Sequence, residues 1–567
     1  MKIKRLTALF LVLALMVTMF AACGGDGGSS TSSKTDASTE ESSKTDDSSA
    51  SGDSSASEGS TNTGDITWDT ADLSWKKNTD PVTMTCYIDF DWYSHDTWGN
   101  DEVSQLITEE TGVTLDVTKS SDLNQLQVLL AAGELPDLIF TTNQVTRFMD
   151  PEQCYPYDEL ISEYCPEFMD LIDPVELVNN TQDDGHFYTL RSHYSSASDF
   201  ADPRWVPSPG DSGLYFRTDL MEEMKLEQPT SVEEFKTILD TAKEKYPDLV
   251  TYLPHPTWAN PLCEFYGFTS PTSISYDGDN AFIGLSDPGF KGWLKFMNQL
   301  VQDGEMSIEA YTYEPEQFFQ IVRSGGVFST SYNCNFADDL NKNYYDANNI
   351  DAHMDPFIGV MTHDGVDEYA PLDAATGWAY FFISKNCKTP DRAINFVEYL
   401  KSPYGDHLTQ WGIEGKHYTL NEDGLLQRTD YYMEKAAEDP LSIGVAPWYF
   451  MASGLGEAVG VSSVSITSPD YSTVVDLGKF RKEHYDRQPA LAFTTPAADT
   501  DEFVIKTKLV ELWNNSQVGL YSAADFESAY NEFVANCEQI GINQLNDFYT
   551  EKFQAALKKY EDAGITF

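Results

Sequence analysis

The segment over residues 81–140 alternates strand and helix patterns, and this alternation constrains the fold more than any other feature of the chain. Apolar side chains alternate from Val82 to Ile88 as in a strand, and the helical spacing that follows ends at Gly112. A second strand, a second helix and a short apolar strand over 137–140 come next. The order β-α-β-α-β predicts a mostly parallel sheet with right-handed crossovers, and therefore an α/β fold.

The remainder of the chain repeats the order of strand before helix. A strand over 214–216 precedes a helix at whose start Ser231 and Glu234 predict a capping box. A strand over 378–383 leads into a helix for which Thr389 is the predicted N-cap. From Asp525 onward the spacing of apolar residues predicts helix throughout.

The loops that follow the first and third strands are the expected places for a ligand. In open α/β sheets, ligands bind beyond the carboxyl ends of the strands. In this sequence those ends are the loops 89–99 and 141–145. The first loop combines aspartates with tryptophans, a mixture of polar and aromatic side chains that suits binding.

The N-terminus predicts an export signal followed by a tether. Basic residues precede an apolar run over 6–22 that ends at Cys23, and this pattern predicts a signal peptide over 1–22. Residues 20–23 resemble a bacterial lipobox, in which the cysteine is acylated and becomes the mature N-terminus. Residues 24–64 hold 14 Ser and 6 Thr, so we expect 23–64 to be a lipidated cysteine with a disordered tether. The predicted location is the extracellular face of the cell membrane, with Cys23 as the lipid anchor.

Composition limits the partners and the size of the fold. The chain has 36 Lys and Arg against 91 Asp and Glu, a net charge of −55, which excludes nucleic acid as a partner. The 503 residues after Gly64 exceed the usual length of one domain and predict two lobes. The eight cysteines include no CxxC pair and no Cys/His cluster, so we expect no metal site, no disulfide framework and no cofactor.

Four segments, in this order and spacing, resemble motifs of the extracellular solute-binding proteins of ABC importers, family 1, in its long lipoprotein branch. They are A-A-G-E-L-P-D-L over 131–138, D-G-H-F-Y over 184–188, the strand and turn over 214–226, and the stretch over 384–424. The resemblance covers residues 80–567.

The resemblance implies a two-lobed, type 2 periplasmic-binding-protein-like α/β fold whose discontinuous lobes close about a hinge on a solute between them. It implies lobe one at 80–195 plus 372–440, and lobe two at 196–371 plus 441–567. It further implies a membrane-anchored monomer, not an enzyme, that captures a carbohydrate, expected to be an oligosaccharide, for ABC permease subunits.

A sugar offers flat C–H faces and a ring of hydroxyls, so its site needs aromatic faces surrounded by amides, carboxylates or Arg. Polar loops with aromatic side chains supply most of our candidates, and the resemblance adds positions where family members often contact ligand, such as Thr141, Asn143 and Tyr332. The predicted ligand-binding residues are Trp92, Trp98, Thr141, Asn143, Arg204, Trp205, Trp258, Tyr332, Asn333, Trp378 and Trp448. Trp293, Trp411 and Trp513 lie in helical or motif contexts and are predicted to be core.

Other functions leave weaker signals. Residues 210–213 resemble the nucleophile segment of trypsin-like proteases, but no matching histidine segment accompanies them, which favours a chance match. The stretch 277–280 predicts a tight turn rather than a calcium site. A surface polysaccharide hydrolase stays open as an alternative, as does a binding protein for peptides or another polar metabolite.

Overall fold

The computed structural model describes residues 73–565 except 91–92, 121–123, 202–205, 207–212, 257–261, 333–335, 368, 370–371, 374–375, 422–425, 446–447, 449–450, 452–471 and 498–499. Strands β1 to β14, in chain order, are Val82–Ile88, Val113–Lys119, Leu138–Thr141, Gly213–Arg217, Val250–Pro254, Ile274–Asp277, Asn280–Ile283, Val327–Tyr332, Met354–Pro356, Leu372–Asp373, Tyr380–Ile383, Tyr418–Leu420, Leu426–Arg428 and Asp486–Arg487.

Helices α1 to α18, in chain order, are Glu102–Thr111, Gln125–Ala132, Val145–Phe148, Tyr157–Tyr164, Pro174–Asn180, Ala197–Ala201, Thr218–Met224, Val232–Lys245, Phe290–Gln302, Pro315–Arg323, Phe336–Asp339, Pro390–Lys401, Pro403–Trp411, Asp430–Glu438, Ser472–Lys482, Asp501–Tyr521, Phe526–Ile540 and Ile542–Asp562. Short 3₁₀ turns and one π turn connect several of them. No helix in the described part of the chain combines the length and the apolar character that crossing a membrane requires.

The first sheet confirms the predicted β-α-β-α-β unit. Its strand order is β11-β3-β1-β2, with β1 parallel to both β2 and β3, and β11 antiparallel to β3. Helix α1 ends at Gly112 with φ 72°, and α2 ends at Gly133 with φ 70°, so each predicted glycine stop adopts the left-handed conformation that glycine tolerates. A carboxyl edge is therefore formed where β1 and β3 end.

The second sheet has the strand order β5-β8-β4-β9. Strands β5 and β8 are parallel, whereas β4 is antiparallel to β8 and β9. The α/β fold class predicted from the sequence is confirmed, with mixed sheets in place of purely parallel ones.

Two of the predicted helix starts differ in detail from the structure. The Ser231 side chain accepts from the Glu234 amide at 3.1 Å, but Glu234 returns its bond to the Thr230 amide at 2.8 Å, one residue before the N-cap. Thr389 occupies the N-cap position of α12 and makes no side-chain capping bond. The predicted turn at 277–280 is confirmed, because Asp277 pairs with Asn280 across the β6–β7 hairpin.

Two large cores follow the two sheets. The core beside the first sheet draws its buried residues from 73–190 and 379–451, and the core beside the second sheet draws its buried residues from 214–361 and 490–560. Trp448 and Met451 pack in the first of these cores, beyond residue 440, where the sequence placed the end of lobe one. The core beside the first sheet therefore reaches as far as Met451, while the division of the chain into two lobes stays a prediction.

Three chain segments that lie outside both cores contact one another, near residues 195–200, 372–373 and 486–487. Strands β10 and β14 pair in parallel, and the Arg487 guanidinium of β14 donates to the Ser195 carbonyl at 2.5 Å. The same guanidinium lies 3.8 Å over the ring of Phe200. These contacts tie together the segments near 195 and 372, where the sequence predicts two of the crossings between lobes.

A buried acid–base pair joins α5 to α12. The Glu176 carboxylate lies 3.8 Å from the Lys401 Nζ, and both side chains are buried. Burial raises the pKa of Glu176 to about 7, although the Lys401 ammonium opposes the shift. Because the ordinary pKa of a glutamate is about 4.5, the folded protein holds an extra proton between pH 4.5 and 7, and its stability falls as the pH rises through that window.

We therefore expect Glu176→Gln to flatten the dependence of stability on pH. The free energy of unfolding of the variant, relative to the unmutated protein, should rise by about 3 kcal/mol between pH 4.5 and pH 8, which corresponds to the size of the shift. Urea denaturation at both pH values measures this difference, with the exposed Glu551→Gln as the control that leaves the pH profile unchanged. If the unfolding free energy of Glu176→Gln depended on pH in the same way as that of the unmutated protein, the raised pKa of Glu176 would be contradicted.

Candidate functional site

A buried carboxylate lies at the carboxyl end of β1, at the start of the predicted loop 89–99. The Asp89 Oδ2 accepts hydrogen bonds from Thr141 Oγ1 at 2.7 Å and from Asn143 Nδ2 at 2.8 Å. The other oxygen, Oδ1, is buried and has no hydrogen-bond partner among the described residues. An unmatched buried acceptor costs free energy, so a ligand hydroxyl that donates to Oδ1 would be held strongly. The structure thus gathers the predicted Thr141 and Asn143 around Asp89.

An exposed indole lies at the same edge of the sheet. Trp378 precedes β11, and 39% of its surface is exposed, an unusual fraction for so large an apolar side chain. Its ring packs on Phe90 at 5.0 Å and on Phe140 at 6.1 Å between centroids. Because β11 is antiparallel to β3, the residue that precedes β11 lies at the edge where β3 ends, so the indole and the Asp89 carboxylate share this edge of the sheet. An indole in this position suits stacking against the C–H face of a sugar.

An uncharged histidine completes this surface. The ring of His193 lies 5.8 Å from that of Trp378, and its φ of 58° places the backbone in the left-handed region that residues other than glycine seldom adopt. Burial, with a further contribution from Lys401, lowers the pKa of His193 to about 4, so the imidazole is neutral at pH 7. A neutral imidazole can donate or accept a hydrogen bond. We call this surface the Trp378 patch, consisting of Asp89, Thr141, Asn143, His193 and Trp378.

A second aromatic cluster lies at the carboxyl edge of the second sheet. Tyr332 ends β8, and its ring lies 4.7 Å from that of His255, which follows β5. Tyr332 also packs against Phe319 at 5.3 Å and Phe336 at 5.1 Å, and its side chain is half-buried. Burial lowers the pKa of His255 to about 4, so this histidine too is neutral at pH 7. The predicted Tyr332 therefore lies at a carboxyl edge, with much of its ring already packed.

Two predicted ligand contacts are instead packed in the core. Trp98 is 7% exposed and Trp448 is 0% exposed, and their rings lie 4.7 Å apart. The Trp98 Nε1 donates to Thr108 Oγ1 at 2.8 Å, and the Trp448 Nε1 donates to Asp101 Oδ2 at 2.9 Å. Since both indoles have their N–H groups bonded inside the protein, the structure gives neither of them the open ring face that the sequence analysis predicted.

The remaining predictions concern the tryptophans expected in the core and the site residues not yet mentioned. Trp293, Trp411 and Trp513, predicted to be core, are buried as expected. The other predicted site residues lie outside the described residues, and so does the predicted lipidation site. They are Trp92, Arg204, Trp205, Trp258, Asn333 and Cys23.

The sequence analysis missed three side chains that the structure places at the strand edges. Asp89 was noted as part of a loop but not as a ligand contact, and the register of β1 with β3 that brings it to Thr141 was the missing information. His193 follows the D-G-H-F-Y turn, and His255 directly follows the strand β5. A search for polar residues directly after each predicted strand would have found Asp89, whereas the strand β5 that precedes His255 was not predicted.

The chemistry of these edges is that of hydrogen bonding and stacking. The Trp378 patch offers one carboxylate, a hydroxyl, an amide and a neutral imidazole beside an exposed indole, and no Lys, Arg or His among the described residues forms an ion pair with Asp89. Within the described ranges, no group of three or more His, Cys, Asp or Glu side chains is arranged to hold a metal ion. This arrangement gives the edge of an α/β sheet the hydrogen-bonding and aromatic groups that a binding site for a small polar solute needs.

Comparison with known proteins gives the family. The sequence profile of bacterial extracellular solute-binding proteins matches residues 100–405, and the chain belongs to this family. It is accordingly a solute-binding protein of an ABC transporter, a binding protein and not an enzyme. No curated protein sequence matches the chain.

Solved structures share the fold at low sequence identity. The HMO binding ABC-transporter associated solute-binding protein of Bifidobacterium longum infantis superposes with a TM-score of 0.66 at 13% identity, covering 84% of this chain and 99% of that one. FusA of S. pneumoniae, solved in complex with kestose, gives 0.63 at 13% identity, covering 84% and 100%. The N-glycan transport solute-binding protein NgtS of Streptococcus pneumoniae gives 0.56 at 16% identity, covering 84% and 99%.

Proposed function

We propose that this protein captures an oligosaccharide outside the cell membrane, to which a lipid on Cys23 tethers it, and delivers it to the permease subunits of an ABC importer. The observation that carries the proposal is the Trp378 patch. At one edge of the sheet it holds an exposed indole and a buried carboxylate, one oxygen of which has no hydrogen-bond partner among the described residues. Indole faces and hydroxyl acceptors are the two features that a sugar ring requires.

The fold relatives support a carbohydrate as the solute. The names of FusA, crystallised with kestose, and of the N-glycan transport protein NgtS each refer to a saccharide. The neutral state of His193 and His255 also favours an uncharged ligand, because neither edge carries a cationic imidazole at pH 7. We propose that the protein acts as a monomer, since one chain supplies both sheet edges.

A peptide is the second candidate for the solute. An extended peptide would be held mainly through backbone hydrogen bonds, and a terminal amine could pair with the Asp89 carboxylate. The exposed face of Trp378 favours the saccharide, because stacking on a C–H face needs an open aromatic surface and backbone capture does not.

A thermal-shift screen of the mature protein over oligosaccharides and short peptides tests the proposal. A ligand that binds only the folded state raises the melting temperature, by an amount that grows with its concentration relative to Kd. We expect the largest shifts from oligosaccharides. A screen in which peptides shift the melting temperature and no saccharide does would refute the carbohydrate assignment.

The anchoring is tested separately at the predicted lipidation site. We expect Cys23→Ala to abolish acylation, so that the protein is released into the medium or stays unprocessed, because one thioether-linked lipid anchor holds the mature chain. Fractionation of washed membranes measures the retained protein, with Cys537→Ala, at a buried cysteine distant in sequence, as the control. Equal retention of Cys23→Ala and the unmutated protein would show that the anchor lies elsewhere.

A further inference from the structure

A cavity of about 500 Å³ lies between the first sheet and the C-terminal helix. Its first wall is Tyr380 of β11 with helix α3, its second is the turn after α5 that includes Asp183, and its third is α18 with Phe493. We call this cavity the Arg191 groove. Its volume falls within the range of small-molecule sites in proteins. None of the residues of the Trp378 patch lines it.

Three cations line the groove in a chain whose net charge is −55. They are Arg191, which follows the D-G-H-F-Y turn, and Lys552 and Lys559 of α18. Two aspartates line it as well, but Asp184 already accepts from the Tyr188 hydroxyl at 2.6 Å and from the His186 amide at 2.9 Å. The cations that line the groove therefore outnumber its aspartates by one, in a molecule that is otherwise strongly acidic.

The Arg191 side chain has unused hydrogen-bonding capacity. Its guanidinium carbon lies 4.8 Å over the ring of Tyr380, and its Nε is buried without a hydrogen-bond partner among the described residues. The buried Glu176 carboxylate, with which Arg191 interacts electrostatically, forms its ion pair with Lys401. A buried donor without an acceptor is costly, so an acceptor placed in the groove would be stabilised.

The opposite wall offers a second cation in a similar state. The Lys559 Nζ lies 5.0 Å over the ring of Phe493, and its ion-pair partner among the described residues, Asp183 at 3.1 Å, is 91% exposed. An ion pair that is so exposed contributes little free energy, so Lys559 can exchange Asp183 for a ligand at small cost. An anion between these walls would be contacted from both sides.

We propose that the Arg191 groove is a second binding site, which takes a small hydroxylated organic carboxylate such as a sugar acid. A planar carboxylate matches the fork of the guanidinium, and the pair forms two parallel charge-assisted hydrogen bonds. The Asn179, Thr181 and Thr495 side chains that line the groove are suited to the hydroxyls of such a ligand. Its volume exceeds the needs of a bare inorganic ion.

Calorimetric titration of the mature protein with D-glucuronate, D-glucose and inorganic phosphate tests the proposal. Glucuronate and glucose share the pyranose ring and differ in the carboxylate, so we expect glucuronate to bind and glucose not to bind over the same concentration range. Phosphate should bind more weakly than glucuronate. The absence of glucuronate binding up to about 10 mM, equal binding of glucose, or tighter binding of phosphate would each overturn the assignment.

Variants locate the binding within the groove. Arg191→Gln should weaken glucuronate binding by about tenfold or more, since a charge-assisted pair is lost. Lys559→Gln should weaken it severalfold, and it supplies the test if Arg191→Gln does not fold. Lys558→Gln makes the same charge change on an exposed neighbour that does not line the groove and should leave binding unchanged.

A variant of the other site keeps the two proposals distinguishable. Trp378→Ala should leave glucuronate binding unchanged even where it weakens oligosaccharide binding. If glucuronate binding instead depended on Trp378 and not on Arg191 or Lys559, the anion would occupy the Trp378 patch and the second site would be refuted.

Discussion

Replacing Trp378 with alanine is expected to weaken saccharide binding by about 2–4 kcal/mol and to leave the melting temperature of the free protein nearly unchanged. The large loss of affinity follows from the exposed position of the ring, whose open face we assign to the ligand. The small change in stability follows from the same exposure, because truncating a ring that is 39% exposed creates less of a cavity than truncating a buried one. Calorimetric titration with an oligosaccharide found in the screen measures the affinity.

Two control variants sharpen this prediction. Trp378→Phe keeps an aromatic face and should lose only part of the affinity. Phe503 on α16 is 38% exposed, a match for Trp378 in exposure, and Phe503→Ala should leave the affinity unchanged. An unaltered Kd in Trp378→Ala would remove the indole from the site and with it the main support for a saccharide ligand.

Replacing Trp448 with alanine is expected to have the opposite effect, a loss of about 3–5 kcal/mol in stability with no selective loss of affinity. The ring is fully buried against Trp98 and lies 5.5 Å from the ring of His95, and its N–H bonds to the buried Asp101. Alanine leaves a large cavity and removes one of the donors to that carboxylate. Urea denaturation followed by circular dichroism measures the change in unfolding free energy.

The phenylalanine variant separates packing from hydrogen bonding at this position. Trp448→Phe keeps most of the buried ring and removes the donor to Asp101, so about 1–3 kcal/mol should be lost. If Trp448→Ala bound saccharide more weakly while its unfolding free energy stayed unchanged, the ring would face the ligand and its place in the core would be wrong.

The sequence predicted the strands and helices of the first sheet well because their signals are local. Alternating apolar residues mark β1, and glycines that must adopt positive φ mark the ends of α1 and α2. The same holds for the hairpin at 277–280, where the turn chemistry alone specifies the structure.

The candidate site was harder to predict because its side chains meet only through long-range packing. Trp98 and Trp378 both follow polar loop residues, and nothing local distinguishes them. Trp98 becomes core because Trp448, distant in sequence, packs against it, whereas Trp378 stays 39% exposed even though Phe90 and Phe140 pack against its ring. Likewise, Asp89 acquires its role from the register that places it beside Thr141 of β3.

The measurement that tests the central claim most directly is a crystal structure of the mature protein with the saccharide that gives the largest thermal shift. Our account predicts one sugar ring lying against the exposed face of Trp378, with a hydroxyl of the saccharide donating to Asp89 Oδ1. A saccharide bound elsewhere, without contact to either Trp378 or Asp89, would contradict the account.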